Sequence, residues 1–206
     1  MSLDIQLTRL HFGARTLLAD LSLTIPGGCI HTLMGPSGCG KSSLLAAISG
    51  TLDPALVWSG RVQLNGRVLD GLPTEQRRVG ILFQDDLLFA HMTVRENLLF
   101  ALPAGPLAQR EAAVVQALDE LEMQGFGDAN PATLSGGQRT RVALMRALLA
   151  QPEALLLDEP FARLDQALRE RMRELVFAQV RQRGIPVLLV THDAADIADA
   201  QRLTRL

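Results

Sequence analysis

The sequence contains few aromatic residues and few cysteines, and it has almost no excess of charge. Among 206 residues there is no Tyr, one Trp and seven Phe, and the only cysteines are Cys29 and Cys39. The formal net charge of −2 gives no general electrostatic reason to bind nucleic acid or anionic lipid. Two cysteines cannot build a disulfide framework, so we expect reduced thiols in a cytosolic setting.

Long apolar runs are also missing. No stretch approaches the roughly 18 apolar residues that a transmembrane helix needs, and residues 1–4 lack the basic and apolar regions of a secretory signal. We find no internal repeat, low-complexity tract or linker. With 48% apolar and 20% charged residues, the composition is typical of one globular domain. Any membrane role must therefore come through a partner.

What the sequence does contain is a glycine-rich loop at residues 35–42, G-P-S-G-C-G-K-S, which fits the pattern G-x-x-x-x-G-K-[ST]. A strand-like run at 29–34 precedes it and a helix-like run at 43–48 follows. The glycines allow backbone N–H groups to approach phosphate oxygens at a helix N-terminus. Lys41 would reach the β- and γ-phosphates, and Ser42 would offer its hydroxyl to Mg²⁺. The loop predicts a nucleoside triphosphate site, whose entry a disulfide at Cys39 would hinder.

Hydrophobic periodicity predicts a mixed α/β chain. Alternation at 3–7 and 21–25 predicts two N-terminal strands, and Asn65-Gly66 predicts a hairpin. Continuous apolar runs predict buried strands, at 79–83, 154–158 and 187–191.

Helices are predicted mainly between these strands. One begins at Thr93 with Glu96 in the capping-box position, and another begins at Ser135. A helix at 109–123 carries one apolar face, comprising Ala113, Ala117, Leu118 and Leu121. A helix before Gly184 carries an apolar stripe, comprising Leu168, Met172, Leu175, Val176 and Val180.

Acidic residues follow the apolar run at 154–157. Asp158 and Glu159 would lie at the carboxyl edge of a parallel sheet, where ligands bind. Asp158 could hold the Mg²⁺ that Ser42 also contacts, and Glu159 could polarise an attacking water. As an alternative, both acids could cap a helix, but Lys41 and Ser42 would then lack a metal partner.

A second glycine-rich turn opens a predicted helix at residues 134–138, L-S-G-G-Q. Ser135 can cap this helix, while Gly136 and Gly137 leave backbone N–H groups uncovered by side chains. The turn is therefore a second anion site of the same physical type as the first.

The order of these motifs, with Gln84 after a strand and Thr191-His192-Asp193 near the end, resembles the nucleotide-binding subunit of ATP-binding cassette (ABC) transporters, bacterial importers in particular. The resemblance runs from Phe12 to His192. It implies a P-loop NTPase (RecA-like) α/β core with an N-terminal antiparallel β subdomain and an α-helical insert. One domain, 1–206, would then comprise a core of 1–84 and 151–206 and a helical part at 85–150.

The resemblance also implies roles for single residues. Phe12 matches an aromatic residue that stacks on adenine, although packing at a strand end explains it equally well. Gln84 would sense Mg²⁺ and the attacking water, Glu159 would be the catalytic base, and His192 would hydrogen-bond the γ-phosphate. Ser43 would contact the α-phosphate. The remaining ATP contacts would come from the two glycine-rich motifs: Gly35, Pro36, Ser37, Gly38, Cys39, Gly40, Lys41 and Ser42, with Ser135, Gly136, Gly137 and Gln138. His11, His31 and His91 match no motif and are expected to be structural or surface residues.

In such proteins the L-S-G-G-Q turn of one subunit closes over the nucleotide held by another. The implied protein is a homodimeric ATPase at the cytoplasmic face of the inner membrane, using ATP and Mg²⁺ and driving an integral membrane permease. An importer would also have a substrate-binding protein, and no nucleic-acid partner is expected. Two alternatives remain: a soluble non-transport ABC ATPase of the cofactor-assembly kind, and a P-loop small-molecule kinase.

Residues 85–97 resemble the segment that borders the permease groove in bacterial importer ATPases. Four apolar residues would form its floor or pack internally: Leu87, Leu88, Phe89 and Met92.

The sequence departs from the family pattern in two places. The usual S-A-L-D of the dimer-contact loop is Ala162-Arg163-Leu164-Asp165 here, and the chain ends soon after His192, as expected of a minimal or truncated cassette.

Overall fold

The computed structural model describes all residues, 1–206, and contains two sheets and six helices. The strands are β1 Ser2–Phe12, β2 Arg15–Pro26, β3 Ile30–Met34, β4 Leu56–Leu64, β5 Arg67–Val68, β6 Val79–Leu82, β7 Ala154–Asp158, β8 Val187–Thr191 and β9 Leu203–Arg205. The helices are α1 Lys41–Ser49, α2 Thr74–Arg77, α3 Val94–Ala101, α4 Leu107–Glu120, α5 Gly136–Leu149 and α6 Gln166–Arg183.

The N-terminal strands form an antiparallel sheet in the order β2-β1-β4-β5. Alternate residues of β1 and β2 are buried, as the period-2 pattern predicts. Asn65 and Gly66 connect β4 to β5 with φ of 54° and 78°, which is the left-handed turn that this dipeptide favours. The predicted hairpin is confirmed, although β4 begins earlier than the motif suggests.

The second sheet is wholly parallel, in the order β6-β7-β8-β3-β9. Every residue of β7 and β8 is buried, because both faces of these central strands are covered. The prediction of a buried strand at 79–83 is wrong in two respects. The strand ends at Leu82, and its first three residues are only half-buried because β6 lies at the edge of the sheet.

The parallel sheet separates two hydrophobic cores. Leu155, Leu157 and Leu189 face a core shared with α3 to α6. Leu156 and Leu188 face the opposite core, which they share with α1 and the antiparallel sheet. The molecule therefore has three layers, and α1 and α5 lie on opposite sides of the central one.

The capping residues that the sequence predicts to start and end helices are confirmed. Thr93 and Glu96 form a capping box at the start of α3, Ser135 caps α5, and Gly184 ends α6 with φ of 64°. The predicted helix at 109–123 begins and ends earlier, at Leu107–Glu120, and Val114 rather than Ala113 is buried on its inner face. None of the helices combines the length and the apolar composition needed to cross a bilayer.

Candidate active site

Four of the predicted site elements lie at the carboxyl edge of the parallel sheet. The loop 35–40 follows β3, Gln84 follows β6 after one residue, Asp158 is the last residue of β7, and His192 follows β8. Parallel strands place all four at one edge, where ligands of open α/β sheets bind. The sequence separates these groups widely, and the sheet order brings them together.

The start of α1 has the features expected of an anion site. Gly40 precedes the helix with φ of 98°, and a Cβ at this position would lie 2.9 Å from Leu17 Cβ. No side chain caps the helix, and no acidic residue lies in its first turn. Its first N–H groups are therefore free of side-chain acceptors and point towards the loop.

Lys41 lies folded against its own loop. Its side chain is largely buried, and Nζ donates hydrogen bonds to the carbonyls of Gly35 at 2.9 Å and Pro36 at 2.8 Å. The thiol of Cys39 is 3.8 Å from the same nitrogen. The ammonium therefore has only neutral acceptors, which a phosphate oxygen can replace.

The rest of the loop faces outward. Ser42 is exposed and Ser43 is half-buried. The tip of the loop is exposed at Pro36, Ser37 and Gly38. An incoming polyphosphate therefore meets backbone and hydroxyl groups without any rearrangement of the core.

Asp158 has the environment of a metal ligand. The side chain is buried, and burial raises the pKa of this carboxyl, while a hydrogen bond with Ser42 and the charge of Lys41 oppose that rise. No salt bridge neutralises it. The carboxylate of Asp158 and the hydroxyl of Ser42 are hard oxygen donors of the kind that Mg²⁺ takes alongside phosphate and water oxygens.

Glu159 and His192 form a direct pair. Glu159 Oε1 lies 2.7 Å from His192 Nδ1, and this hydrogen bond raises the pKa of His192. Glu159 has φ of 49°, which residues other than glycine seldom adopt. Its backbone N–H donates to the carbonyl of Val190 at 2.9 Å. The acid is thus held rigidly beside an imidazole that is itself 67% exposed.

A buried ion cluster supports the His192 turn, and sequence reasoning missed it. Arg169 of α6 binds both oxygens of Asp196, at 2.9 and 2.6 Å, and one oxygen of Asp193 at 2.7 Å. Asp196 also accepts from the hydroxyl of Thr191 at 3.0 Å. The side chain of Asp196 is 1% exposed, so the cluster fixes the residues on both sides of His192. A single Arg in an amphipathic helix gives no sequence signal for this contact.

Gln84 and Glu159 line one small cavity of about 120 Å³, together with Thr140 and Ala162. Gln84 is exposed, and its side chain makes no hydrogen bond within the chain. The amide is therefore free to turn towards the acid when a ligand arrives.

Phe12 lies at the end of β1 and is 56% exposed. It borders a surface hollow of about 300 Å³ with Leu17, Asp53 and Leu56. Phe12 therefore does not pack in the core at the strand end, which was one of the two explanations for this residue. The exposed ring is free to receive a flat ligand.

The start of α5 is also open. Ser135 and Gln138 close a capping box, with Ser135 Oγ accepting from the N–H of Gln138 at 3.2 Å. A Cβ at Gly136 would meet no atom within 4 Å, whereas one at Gly137 would lie 3.3 Å from the carbonyl oxygen of Arg163. No hydrogen bond joins residues 134–138 to the loop 35–42, and α1 and α5 pack on opposite faces of the sheet. Within one chain the two predicted anion sites are therefore separate.

The predicted permease segment borders an apolar groove of about 270 Å³. Leu87 and Phe89 line this groove. Leu88 packs against the core instead, and Met92 does not line the groove. Phe100, which sequence reasoning missed, also lines the groove, is 63% exposed and meets Phe89 edge to face at 4.9 Å.

Polar contacts hold the wall of this groove. Asn97 is fully buried and bonds both backbone groups of Phe89, at 2.9 and 3.1 Å. Arg146 donates to the carbonyl of Leu87 at 2.9 Å and lies 5.2 Å from the centre of the Phe89 ring. Burial lowers the pKa of Arg146. The loop after Gln84 is thereby tied to α3 and α5.

The other three histidines contact residues outside the predicted site. His31 is half-buried, its Nε2 lies 2.9 Å from Thr204 Oγ1, and burial lowers its pKa. His11 bonds the carbonyl of Gly13 at 2.8 Å, and His91 is exposed. No group of three or more His, Cys, Asp or Glu is arranged to hold a metal.

Comparison with known proteins decides the family. The family model described as "ABC transporter" matches residues 18–162. The chain belongs to the ABC transporter family. It is 54% identical over 182 residues to the ABC transporter ATP-binding protein YnjD of Escherichia coli strain K12, covering 88% of this chain and 84% of YnjD.

Two further matches extend the ABC assignment. The sulfate/thiosulfate import ATP-binding protein CysA of Vibrio vulnificus is 43% identical, and the match covers 97% of this chain but only 59% of CysA. The ATP-binding cassette MJ0796, solved as a dimer in a post-hydrolysis state with ADP and phosphate, superposes with a TM-score of 0.83 at 29% identity, covering 99% of this chain and 94% of the cassette.

These matches confirm the P-loop NTPase fold and make the chain the ATP-hydrolysing subunit of an ABC transporter. They favour a transport ATPase over the soluble cofactor-assembly alternative and over a small-molecule kinase.

Proposed function

We propose that two copies of this ABC subunit associate head to tail, with each ATP held between the loop 35–42 of one copy and residues 135–138 of the other. The observation that carries the proposal is the open start of α5. Ser135 is exposed, a Cβ at Gly136 would have open space around it, and no hydrogen bond joins this turn to the chain's own phosphate loop. Two helix N-termini facing one triphosphate would share the neutralisation of its charge.

Nucleotide binding in this arrangement uses groups that are already in place. Lys41 exchanges its two carbonyl acceptors for phosphate oxygens, and Ser43 contacts the α-phosphate. Phe12 stacks on the base. From the partner copy, Ser135 and Gln138 add polar contacts beside the N–H groups of Gly136 and Gly137.

Hydrolysis requires a base and a metal. Glu159 takes a proton from the attacking water, the oxygen of that water bonds to the γ-phosphorus, and the bond to the β–γ bridging oxygen breaks. His192 hydrogen-bonds the γ-phosphate, so the imidazole exchanges its contact with Glu159 for one with the ligand. Ser42, Asp158 and Gln84 would hold Mg²⁺, which supplies charge neutralisation at the phosphates.

The apolar groove is the proposed coupling surface. All strands lie in residues 1–84 and 151–206, while residues 85–150 contain α3, α4 and α5. We propose that this helical part moves with the dimer and carries the groove at Leu87, Phe89 and Phe100. An amphipathic helix of an integral membrane permease would fill it.

The relatives suggest the setting. CysA is an import protein, and by analogy we propose import through a permease, with a substrate-binding protein delivering a substrate that those other subunits select. The chain would then bind peripherally at the cytoplasmic face of the inner membrane.

The coupling surface can be tested by placing a charge in the groove. Phe100→Asp should abolish co-purification with a multi-span membrane protein while leaving the ATPase rate of the isolated subunit within about twofold, because surface changes rarely perturb the fold. Val115→Asp is the matched control, since Val115 is also 63% exposed and does not line the groove. Equal membrane-protein recovery with both variants would contradict the proposed surface.

A further inference from the structure

Arg163 occupies the loop in which this chain departs from the usual S-A-L-D. The two residues that follow it have local structural roles: Leu164 packs against the core, and Asp165 caps α6 through the N–H of Leu168 at 3.0 Å. The side chain of Arg163, 40% exposed, extends from this fixed base towards the residues that follow Gln84.

Two carboxylates receive the guanidinium. Arg163 Nη2 lies 3.1 Å from Asp85 Oδ1, and Nη1 lies 3.8 Å from Asp86 Oδ2. Asp86 also accepts from Arg139 Nε at 2.9 Å, and Arg139 donates to the carbonyl of Leu134 at 2.7 Å. One chain of charges therefore runs from the loop 162–165, through Asp86, to the start of α5.

The backbone of Arg163 makes a second contact with α5. Its carbonyl oxygen lies 3.3 Å from the position that a Cβ would take at Gly137, which leaves no room for a larger residue without a shift. Arg163 and Gln84 also line the cavity that contains Glu159. A single residue thus touches the glutamine loop, the general-base cavity and the second anion site.

We infer that Arg163 is a positioning residue for hydrolysis: by pairing with Asp85 and Asp86 it fixes the backbone beside Gln84, so that the amide of Gln84 can turn towards Glu159 within their shared cavity. The inference rests on the proposed hydrolytic site. Arg139 and Arg146 hold the loop from Asp86 onward. Closer to the glutamine, the side chain of Gln84 has no hydrogen-bond partner, and the side chain of Asp85 pairs with Arg163 alone.

The expected consequence is a change in rate and not in fold. Asp85 is 81% exposed, and pairs this open to solvent contribute little to the free energy of unfolding. Displacement of a group beside the reacting water by about 1 Å, in contrast, has a large effect on kcat.

The test measures kcat and KM for ATP in the full chain. Arg163→Ala should lower kcat by about tenfold with KM within about twofold, because orientation and not binding is lost. Asp85→Asn should lower kcat similarly, and the double variant should be no slower than the slower single variant. Reversal of the pair, Arg163→Asp with Asp85→Arg, should recover part of the rate.

Arg171→Ala is the matched control. Arg171 forms an exposed ion pair with Glu122 and does not line the cavity that contains Glu159, and its removal should leave kcat unchanged. Should Arg163→Ala fail to fold, Asp85→Asn removes the same ion pair from the other side.

The inference is overturned if Arg163→Ala keeps kcat within twofold, or if the effects of Arg163→Ala and Asp85→Asn multiply independently. Its failure is distinguishable from failure of the hydrolytic site itself. Lys41→Ala reports on the site, and retention of full activity in that variant would reject the proposed function whatever Arg163 does.

Discussion

Glu159 and His192 are hydrogen-bonded to each other, with 2.7 Å between Oε1 and Nδ1. The proposed reaction needs both groups directed elsewhere, one at water and the other at the γ-phosphate. The structure therefore joins the proposed general base to the histidine that is proposed to contact the γ-phosphate. Binding of ATP would separate them, which links the activation of Glu159 to the presence of substrate.

Replacement of the base should stop hydrolysis after binding. Glu159→Gln should slow ATP hydrolysis by at least about 10²-fold, the effect of a lost general base. Because Lys41 and the glycine loop remain, the variant should accumulate as an ATP-bound dimer, measurable by light scattering. A Glu159→Gln sample that stays monomeric with ATP at high protein concentration would contradict the composite site.

The Glu159–His192 pair should also be visible in the titration of the histidine. Glu159 raises the pKa of His192 above its ordinary value of about 6.5. The stabilising contribution of the charged pair is therefore fully present below about pH 6.5 and is lost as the pH rises through the raised pKa. An NMR titration of the nucleotide-free protein should show this elevated pKa, and Glu159→Gln should lower it.

His31 provides the internal control for that titration. Its pKa is lowered by burial and should not respond to Glu159→Gln. A His192 pKa at or below the ordinary value in the unmodified protein would show that the pair does not form in solution.

Mixing two inactive variants should restore activity if each ATP site uses two copies. Gly136→Asp places a carboxylate where the Cβ would meet no atom within 4 Å beyond its chain neighbours and the backbone of its own helix, and an acid at a helix N-terminus does not destabilise the helix. It should repel a partner's triphosphate. Lys41→Ala should lose ATP binding at its own loop.

A heterodimer of these two variants contains one intact site, formed by the loop of Gly136→Asp and the α5 start of Lys41→Ala. The ATPase rate of the mixture should therefore exceed that of either variant, and the specific activity of the unmodified chain should rise with protein concentration. Activity that is flat with concentration and absent from the mixture would indicate a self-sufficient monomer.

Removal of the Arg169 cluster should destabilise the protein. Arg169→Ala leaves Asp196 buried at 1% exposure without its cation, a change that costs about 3–5 kcal/mol in the free energy of unfolding. Urea denaturation measures it. Arg171→Ala, which removes an exposed pair, should change the same quantity by no more than about 1 kcal/mol. Equal effects of both substitutions on the free energy of unfolding would show that the buried cluster stabilises the protein no more than an exposed ion pair does.

Local sequence rules predicted most of the elements correctly, for physical reasons. Asn65-Gly66, the Thr93–Glu96 box and Gly184 act through backbone conformation and hydrogen bonds within a few residues, so their effect is readable in a short window. The predicted burial of β6 was wrong, because burial depends on whether a strand lies at the centre or at the edge of the sheet. A short sequence window does not contain that information.

The sequence by itself determined the fold class, the family and the identity of the residues proposed to meet ATP, because the glycine loop, the acidic strand end and the L-S-G-G-Q turn are contiguous motifs. Only the tertiary structure decided which groups meet. In the folded chain Glu159 pairs with His192 and Arg163 pairs with Asp85. Phe12 is exposed, and Leu87 and Phe89 line the apolar groove whereas Leu88 does not. Such contacts join residues up to 78 positions apart, and they exist only once sheet order and packing have fixed the distances between them.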